Sequence, residues 1–372
     1  MTDTHDLLPI GLEDRLPGEA RILTHAMRAA LETFDSHGYD RVQPPLIEFE
    51  DSLKSRMEGV ETNRMVRFVD PESLRTLALR SDMTMQVGRI AATSMADAPR
   101  PLRLCYAGDV AVIRANQLDP SRQRQQIGAE LIGSDSVAAA REAVSLAIEA
   151  VTQAGAQVIS VDLTLPDVVS VLAQEALPLE ADRVAAVRHE LDTKDAGGLK
   201  AAGGEAYLPL LHAAGPFEDA VEKLTALDAG GALASRIEGL RRIAASVPEN
   251  VRLTLDPSER HGFEYQSWFG FTVYANGPRK AVGRGGTYCI GGSGEVATGF
   301  SLFGDALIEA LSGSHKAARP AVFLADGHDR AVARRLREEG WRTVAQIGPG
   351  DNPEALGCTH RLDSGDAQPR TL

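Results

Sequence analysis

A chain of 372 residues with 43% hydrophobic and 24% charged residues has the composition of a soluble globular protein, with length for one large domain plus additions or for two to three smaller ones. A net charge of −13 argues against nucleic acid as the main partner, because that affinity rests on neutralising phosphates. No apolar run approaches the ~20 residues of a membrane span, no signal-peptide pattern opens the chain, and three irregularly spaced cysteines (Cys105, Cys289, Cys358) point to free thiols in a reducing, cytoplasmic setting.

In chain order, residues 18–37 set Leu23, Met27, Ala30, Leu31 and Phe34 on one helical face, with Gly38 as the stop. "GYDRVQPPLIE" reads as one short strand that ends, or lies at an edge, at Pro44 and Pro45. "SLRTLALRSDMTMQVGRIAA" reads as a strand running into a helix, with Ser81 or Asp82 near the cap. Two apolar runs, residues 104–113 and 126–132, flank a loop of turn formers, the pattern of a long-looped antiparallel hairpin. Arg114, Arg122 and Arg124 lie close by, as in an arm built to hold an anion. Ser136 is the expected cap of a helix in which Val137, Ala140, Val144, Ile148 and Val151 recur at helical spacing. "QVISVDLTLP" alternates as a strand. Residues 167–248, rich in Ala, Leu, Glu and Arg with Gly-Gly breaks, read as an inserted helical subdomain. Strand character returns at "VRLTLDP", "FGFTVYAN" and "KAVGRGG", and "ATGFSLFGDALIEALSG" reads as a strand followed by a helix. A strand–helix–strand unit follows, and the tail from Pro349 reads as polar and loose.

The elements do not alternate strictly as βαβ, which favours α+β with a mainly antiparallel sheet. The expected domains are a core of residues 1–166 and 249–318, the helical insertion 167–248, and a short α/β unit with its tail, 319–372.

Most chemical motifs are missing. "VGRGGTYCIGGSG" lacks the Gly-Lys-Ser/Thr ending of a phosphate loop, and glycines between strands more often make turns and bulges. "HELDT" lacks the second histidine of a zinc helix, and Cys358 with His360 is only one pair, so no metal or cofactor is expected. Neither a G-x-S-x-G element nor a plausible Cys–His nucleophile pair is present. More informative are Arg80, Asp82 and Thr84 at a strand-to-helix junction, and Gln126 and Glu130, which share a strand face four residues apart. "RHGFEYQ" adds Arg260, His261, Glu264 and Tyr265.

Taken in order, these segments resemble the catalytic core of class II aminoacyl-tRNA synthetases, specifically histidyl-tRNA synthetase. "HGYDRVQPPLIE" looks like the first class II motif. "LALRSDMT" looks like the segment that grips an amino acid's ammonium group, and the hairpin with "RQRQQIGAELIG" looks like motif two. "RHGFEYQ" and "RGGTYCIGG" resemble the histidine-specific and glycine segments, and "ATGFSLFGDAL" resembles motif three. By this resemblance Asp82, Thr84 and Gln126 receive an α-ammonium group. Glu130, Tyr265 and Tyr288 address an imidazole, and Arg114 takes the carboxylate, with Arg260 and His261 also at the site.

The departures are as telling. The motif-two and motif-three arginines, which hold ATP in synthetases, fall on Val112 and Ala306. A charged hydrogen bond contributes on the order of 1.5–3 kcal/mol, so losing two weakens nucleotide binding by roughly two to four decades. His261, Thr287 and Gln266 also replace family residues, and the segment after Ala318 is shorter than an anticodon-binding domain of about a hundred residues. A synthetase-like core altered in this way resembles the family of ATP phosphoribosyltransferase regulatory subunits. That resemblance implies a non-catalytic chain, a homodimer within a hetero-oligomer, that activates the short catalytic subunit and conveys feedback inhibition by L-histidine. Two rivals stand beside it: a divergent histidyl-tRNA synthetase-like amino-acid-activating enzyme, and an assembly scaffold with a vestigial pocket.

Overall fold

The computed structural model describes residues 7–54, 65–113, 120–174, 176–228, 230–260, 266–312 and 319–372. The chain falls into two compact units, residues 1–313 and 314–372.

The first unit opens with helix α1 (Pro17–Ser36), whose proline sits where a helix has no N–H to satisfy. Its inward face carries Ala26, Ala30 and Phe34, and Gly38 takes a φ of +79° just beyond its end. Next come β1 (Asp40–Arg41), β2 (Ile47–Phe49), α2 (Glu50–Lys54), β3 (Arg67–Val69), β4 (Thr76–Leu79) and α3 (Thr84–Ala92). The hairpin follows as β5 (Leu102–Ala111) and β6 (Gln123–Ile132), then α4 (Val137–Gln153) and β7 (Val158–Thr164). Ser136 caps α4, accepting from the Ala139 N–H as expected.

The helical stretch contains α5 (Val168–Gln174), α6 (Val184–Asp192), α7 (Ala196–Ala201), a 3-10 helix (Glu205–His212), the two-residue strand β8 (Gly215–Pro216), α8 (Phe217–Leu227) and α9 (Ala234–Ala244). Leu172, Leu191, Leu210, Leu224 and Leu240 belong to the same buried cluster as Phe269 and Phe271, so these helices share the core of the sheet. The chain then returns through β9 (Arg252–Leu255), β10 (Gln266–Ala275), β11 (Gly283–Ile290), β12 (Glu295–Phe303) and α10 (Gly304–Leu311).

Nine strands form one sheet in the order β1-β5-β6-β12-β11-β10-β7-β9-β8. The β1–β5 and β7–β9 pairs are parallel and the others antiparallel. Side chains alternate between faces along each strand. Ile127, Ala129, Phe269, Phe271, Phe300 and Leu302 point to the face covered by α1, α4 and α10. On the opposite face Leu104, Tyr106, Ile132, Tyr288 and Ile290 pack against Met83, Met85 and Val87, around α3 and a small antiparallel sheet of order β2-β4-β3. Among the described residues these elements cover part of that second face, and the candidate site lies beside them on the rest.

The second unit contains β13 (Ala321–Leu324), α11 (Arg330–Glu338), β14 (Arg342–Ala345), β15 (His360–Leu362) and β16 (Arg370–Thr371), in the sheet order β14-β13-β15-β16.

Two expectations are corrected. "GYDRVQPPLIE" is not one strand, because the proline pair divides it. Asp40 and Arg41 pair with β5, whereas Ile47–Phe49 joins the small sheet. Nor is the tail from Pro349 loose. Its β15 pairs in parallel with β13, and Cys358 and Leu362 are buried under that sheet. Two buried apolar side chains spaced among glycines and acidic residues leave too sparse an alternation to read as a strand.

Candidate ligand-binding site

The site is built by register across four strands. Glu130 of β6 lies opposite Gly299 of β12, which lies opposite Gly286 of β11, which lies opposite Gly270 of β10. Three glycines in a row leave a trough without side chains across the sheet. A neighbouring row two residues along carries Ser301 and Arg284, and the row on the other side carries Tyr288 and Gln266. The trough is lined by these residues, Gly270 apart, together with Thr84, Gly285 and Phe300. A Cβ at Gly299 would run into the Glu130 carboxyl, and one at Gly286 would press on the Phe269 carbonyl and the Gln266 amide. The glycines are therefore required by what lies over them.

Glu130 is 1% exposed, and two tyrosines hold its carboxyl. The Tyr106 hydroxyl donates to Oε1 at 3.0 Å and the Tyr288 hydroxyl to Oε2 at 2.7 Å. Burial pushes the carboxyl up to about 8. The tyrosine hydroxyls pull the other way, and the negative charge of Asp82 adds to the rise. Burial, with the field of Glu130 behind it, likewise holds the Tyr106 phenol well above its ordinary value. At neutral pH, Glu130 without a ligand keeps its proton.

A second carboxylate, Asp82, lies at the start of α3, its Oδ1 accepting from the Thr84 N–H at 2.7 Å. Gln126 joins the two carboxyls. Its Oε1 accepts from the Met83 N–H at 2.9 Å, so its amide N–H groups point to Asp82 at 3.1 Å and to the Ser301 hydroxyl at 2.7 Å. Ser301 and Thr84 each lie 3.1 Å from the Tyr106 hydroxyl. Because Tyr106 spends its single proton on Glu130, it accepts from these neighbours. The chain of donors runs Gln126, Ser301, Tyr106, Glu130. It has one carboxyl at each end, one suited to an ammonium group and one to a ring N–H. We predict that Tyr106→Phe removes the hub of this chain and leaves Glu130 Oε1 without its donor. Thermal unfolding should report a loss of about 1–3 kcal/mol.

Of the residues expected from sequence, Thr84, Glu130 and Tyr288 line the trough, and Asp82 and Gln126 lie just behind it, bonded to Thr84 and Ser301. Arg260 is not among the described residues that line the trough, and its backbone N–H donates to Asp192 of α6 at 2.9 Å. Arg114, His261 and Tyr265 lie outside the described residues. At the two positions where the resemblance to synthetases puts their ATP-binding arginines, Val112 follows β5 and donates its N–H to the Arg122 carbonyl at 2.8 Å, and Ala306 is fully buried in the core of α1, α4 and α10.

Sequence reasoning missed Tyr106, Ser301 and Arg284. Tyr106 reads as an ordinary core position in an alternating strand. A signal was present in "IGAEL", since Gly128 shares the face of Glu130 two residues away. A Cβ at Gly128 would meet the Tyr106 hydroxyl.

Among the described residues, no helix is long and apolar enough to cross a membrane, and no cluster of His, Cys, Asp or Glu is arranged to hold a metal ion.

Comparison with known proteins agrees with this geometry. The histidyl-tRNA synthetase family matches residues 11–307. A relative from Paramagnetospirillum magneticum, named ATP phosphoribosyltransferase regulatory subunit, is 43% identical over 96% of this chain and 96% of its own. One of the same name from Rhodospirillum centenum is 40% identical over 97% and 96%. Among solved structures, an ATP phosphoribosyltransferase regulatory subunit/histidyl-tRNA synthetase from Bacillus halodurans superposes with a TM-score of 0.80 at 21% identity, covering 98% of both chains. Histidyl-tRNA synthetase from Nostoc superposes at 0.75 with 15% identity, covering 96% of this chain and 90% of that one. The fold is thus that of class II histidyl-tRNA synthetases, and by its full-length relatives the chain belongs to the family of ATP phosphoribosyltransferase regulatory subunits.

Proposed function

We propose that this chain performs no chemistry of its own, that it assembles with the short catalytic subunit of ATP phosphoribosyltransferase and activates it, and that histidine bound in the glycine trough conveys feedback inhibition. One contrast carries this reading. Five of the residues expected to hold an amino acid are grouped, with Asp82, Thr84 and Gln126 at one end and Glu130 with Tyr288 at the other, whereas Val112 and Ala306 stand where the resemblance puts the ATP-binding arginines. The names of the full-length relatives support the partnership. Dimerisation of this chain through the motif-one region, as in class II cores, completes the reading.

The coupling required is modest, typically about 1–3 kcal/mol between two sites. Histidine must bind one state of the complex better than the other, because equal affinity shifts nothing.

Histidine-dependent exchange of pyrophosphate into ATP separates this reading from an amino-acid-activating enzyme. The expected result is no exchange above background with the chain alone or in the complex. Exchange that requires histidine and is lost in Glu130→Ala would make the chain a synthetase-like enzyme.

A further inference from the structure

We infer that Arg284 is the residue that receives the α-carboxylate of the bound amino acid, so that the trough reads its ligand at three points. This rests on the reading of the trough as a histidine site. Arg284 is the one cationic side chain among the described residues lining the trough. Register fixes where it stands. It lies on β11, directly across from Ser301 of β12, two residues along the strand from Gly286 and so on the same face. Glu130 lies on the trough row two strands away. Two strand spacings make about 10 Å and two residues along a strand about 7 Å, so Arg284 stands diagonally across the trough from Glu130.

The three groups form a triangle. Glu130 with Tyr288 marks one corner, Gln126 with Asp82, which stand behind Thr84 and Ser301 of the lining, the second, and Arg284 the third. An α-amino acid has three such points, namely a side chain, an ammonium and a carboxylate, all radiating from one carbon. With the ring at Glu130 and the ammonium at Asp82 and Gln126, the carboxylate falls on the side of Ser301 and Arg284. A planar guanidinium suits a carboxylate there, presenting paired N–H donors that an ammonium group cannot match. This assignment takes the carboxylate role expected for Arg114 and gives it to a residue of the glycine segment.

The test compares histidine with histamine, which keeps the imidazole and the amine and lacks the carboxylate. Binding is measured by calorimetry on the full complex with the catalytic subunit. Wild type should bind histidine about tenfold to a hundredfold more tightly than histamine, the range of one charge-assisted pair. In Arg284→Met the ratio should fall to within about threefold, because histidine weakens while histamine does not, and Arg284→Lys should keep part of the preference. Retained histamine binding shows that the variant is folded. An unchanged ratio in Arg284→Met overturns the assignment, as does a ratio that collapses instead in Arg260→Met or Arg114→Met. If wild type binds no histidine at all, the histidine reading of the trough fails and takes this assignment with it.

Discussion

Replacing Glu130 with alanine is expected to weaken histidine binding to the assembled complex by about a hundredfold, to relieve feedback inhibition accordingly, and to leave assembly intact. The carboxyl is the only acidic group among the described residues lining the trough, and in the proposed binding mode it accepts the ring N–H. Its loss removes one charge-assisted bond and leaves the Tyr106 and Tyr288 hydroxyls facing a polar space that water can fill.

The proton balance sharpens this prediction. Unliganded Glu130 holds its proton up to about pH 8, and a free imidazole carries its own below about 6.5. A ring against a carboxyl holds one mobile proton between the two groups. Between about pH 6.5 and 8 the separated partners also carry one, so binding neither takes up nor releases protons. Below that window a proton must be expelled, and above it one must be captured. Histidine affinity should therefore peak between about pH 6.5 and 8 and fall by up to tenfold per pH unit on either side. Glu130→Gln, which fits the same space, should lose the decline that begins near pH 8, leaving only that of the ligand's own ammonium.

The raised carboxyl also governs the stability of the unliganded chain. A carboxyl whose folded value is raised contributes stability that is fully present below the unfolded value of 4.5 and lost as pH rises through about 8. Urea unfolding should show a decline of a few kcal/mol across that window in wild type, on the order of 1.4 kcal/mol for each pH unit between the two values, and no such component in Glu130→Gln. A flat binding profile in wild type would mean that Glu130 does not face the ring.

Gly299→Ala should have a comparable effect on binding from the opposite strand. Its Cβ would occupy the position of the Glu130 carboxyl and come within 2.8 Å of the Ala129 carbonyl. Either Glu130 leaves its two tyrosines or β6 and β12 spread, and both outcomes remove the ring-binding corner. Overpacking of this kind costs about 1–3 kcal/mol, which thermal unfolding should register, and histidine binding should fall below detection in calorimetry. Gly18→Ala is the control, since nothing lies within 4 Å of a Cβ there, and it should leave histidine binding unchanged and, being in α1, stabilise the fold slightly if at all. Wild-type histidine affinity in Gly299→Ala would contradict the trough as the binding site.

What the sequence made legible follows from the range of each interaction. The α1 helix, the hairpin, the Ser136 cap and the strand–helix–strand unit all rest on local periodicity or a local cap. Five of the expected site residues came together because resemblance carries long-range information that spacing does not. Tyr106, Ser301 and Arg284 escaped because they meet the site only through cross-strand register, with Tyr106 and Ser301 separated by 195 positions. Register is set by which face is buried, and a strand such as "VGRGG" that is mostly glycine leaves that choice unreadable before the fold is seen. The tail was misread for a related reason. Its β15 is three residues long and is held by a parallel neighbour 38 positions away.

The most direct test of the central claim is phosphoribosyl transfer from phosphoribosyl pyrophosphate to ATP by the short catalytic subunit, assayed alone, with this chain, and with this chain plus histidine. The expected result is a higher rate with the chain present and strong inhibition when histidine is added, the inhibition lost in Glu130→Ala. A rate that neither the chain nor histidine alters, in a complex whose assembly is verified by sedimentation, would contradict the account.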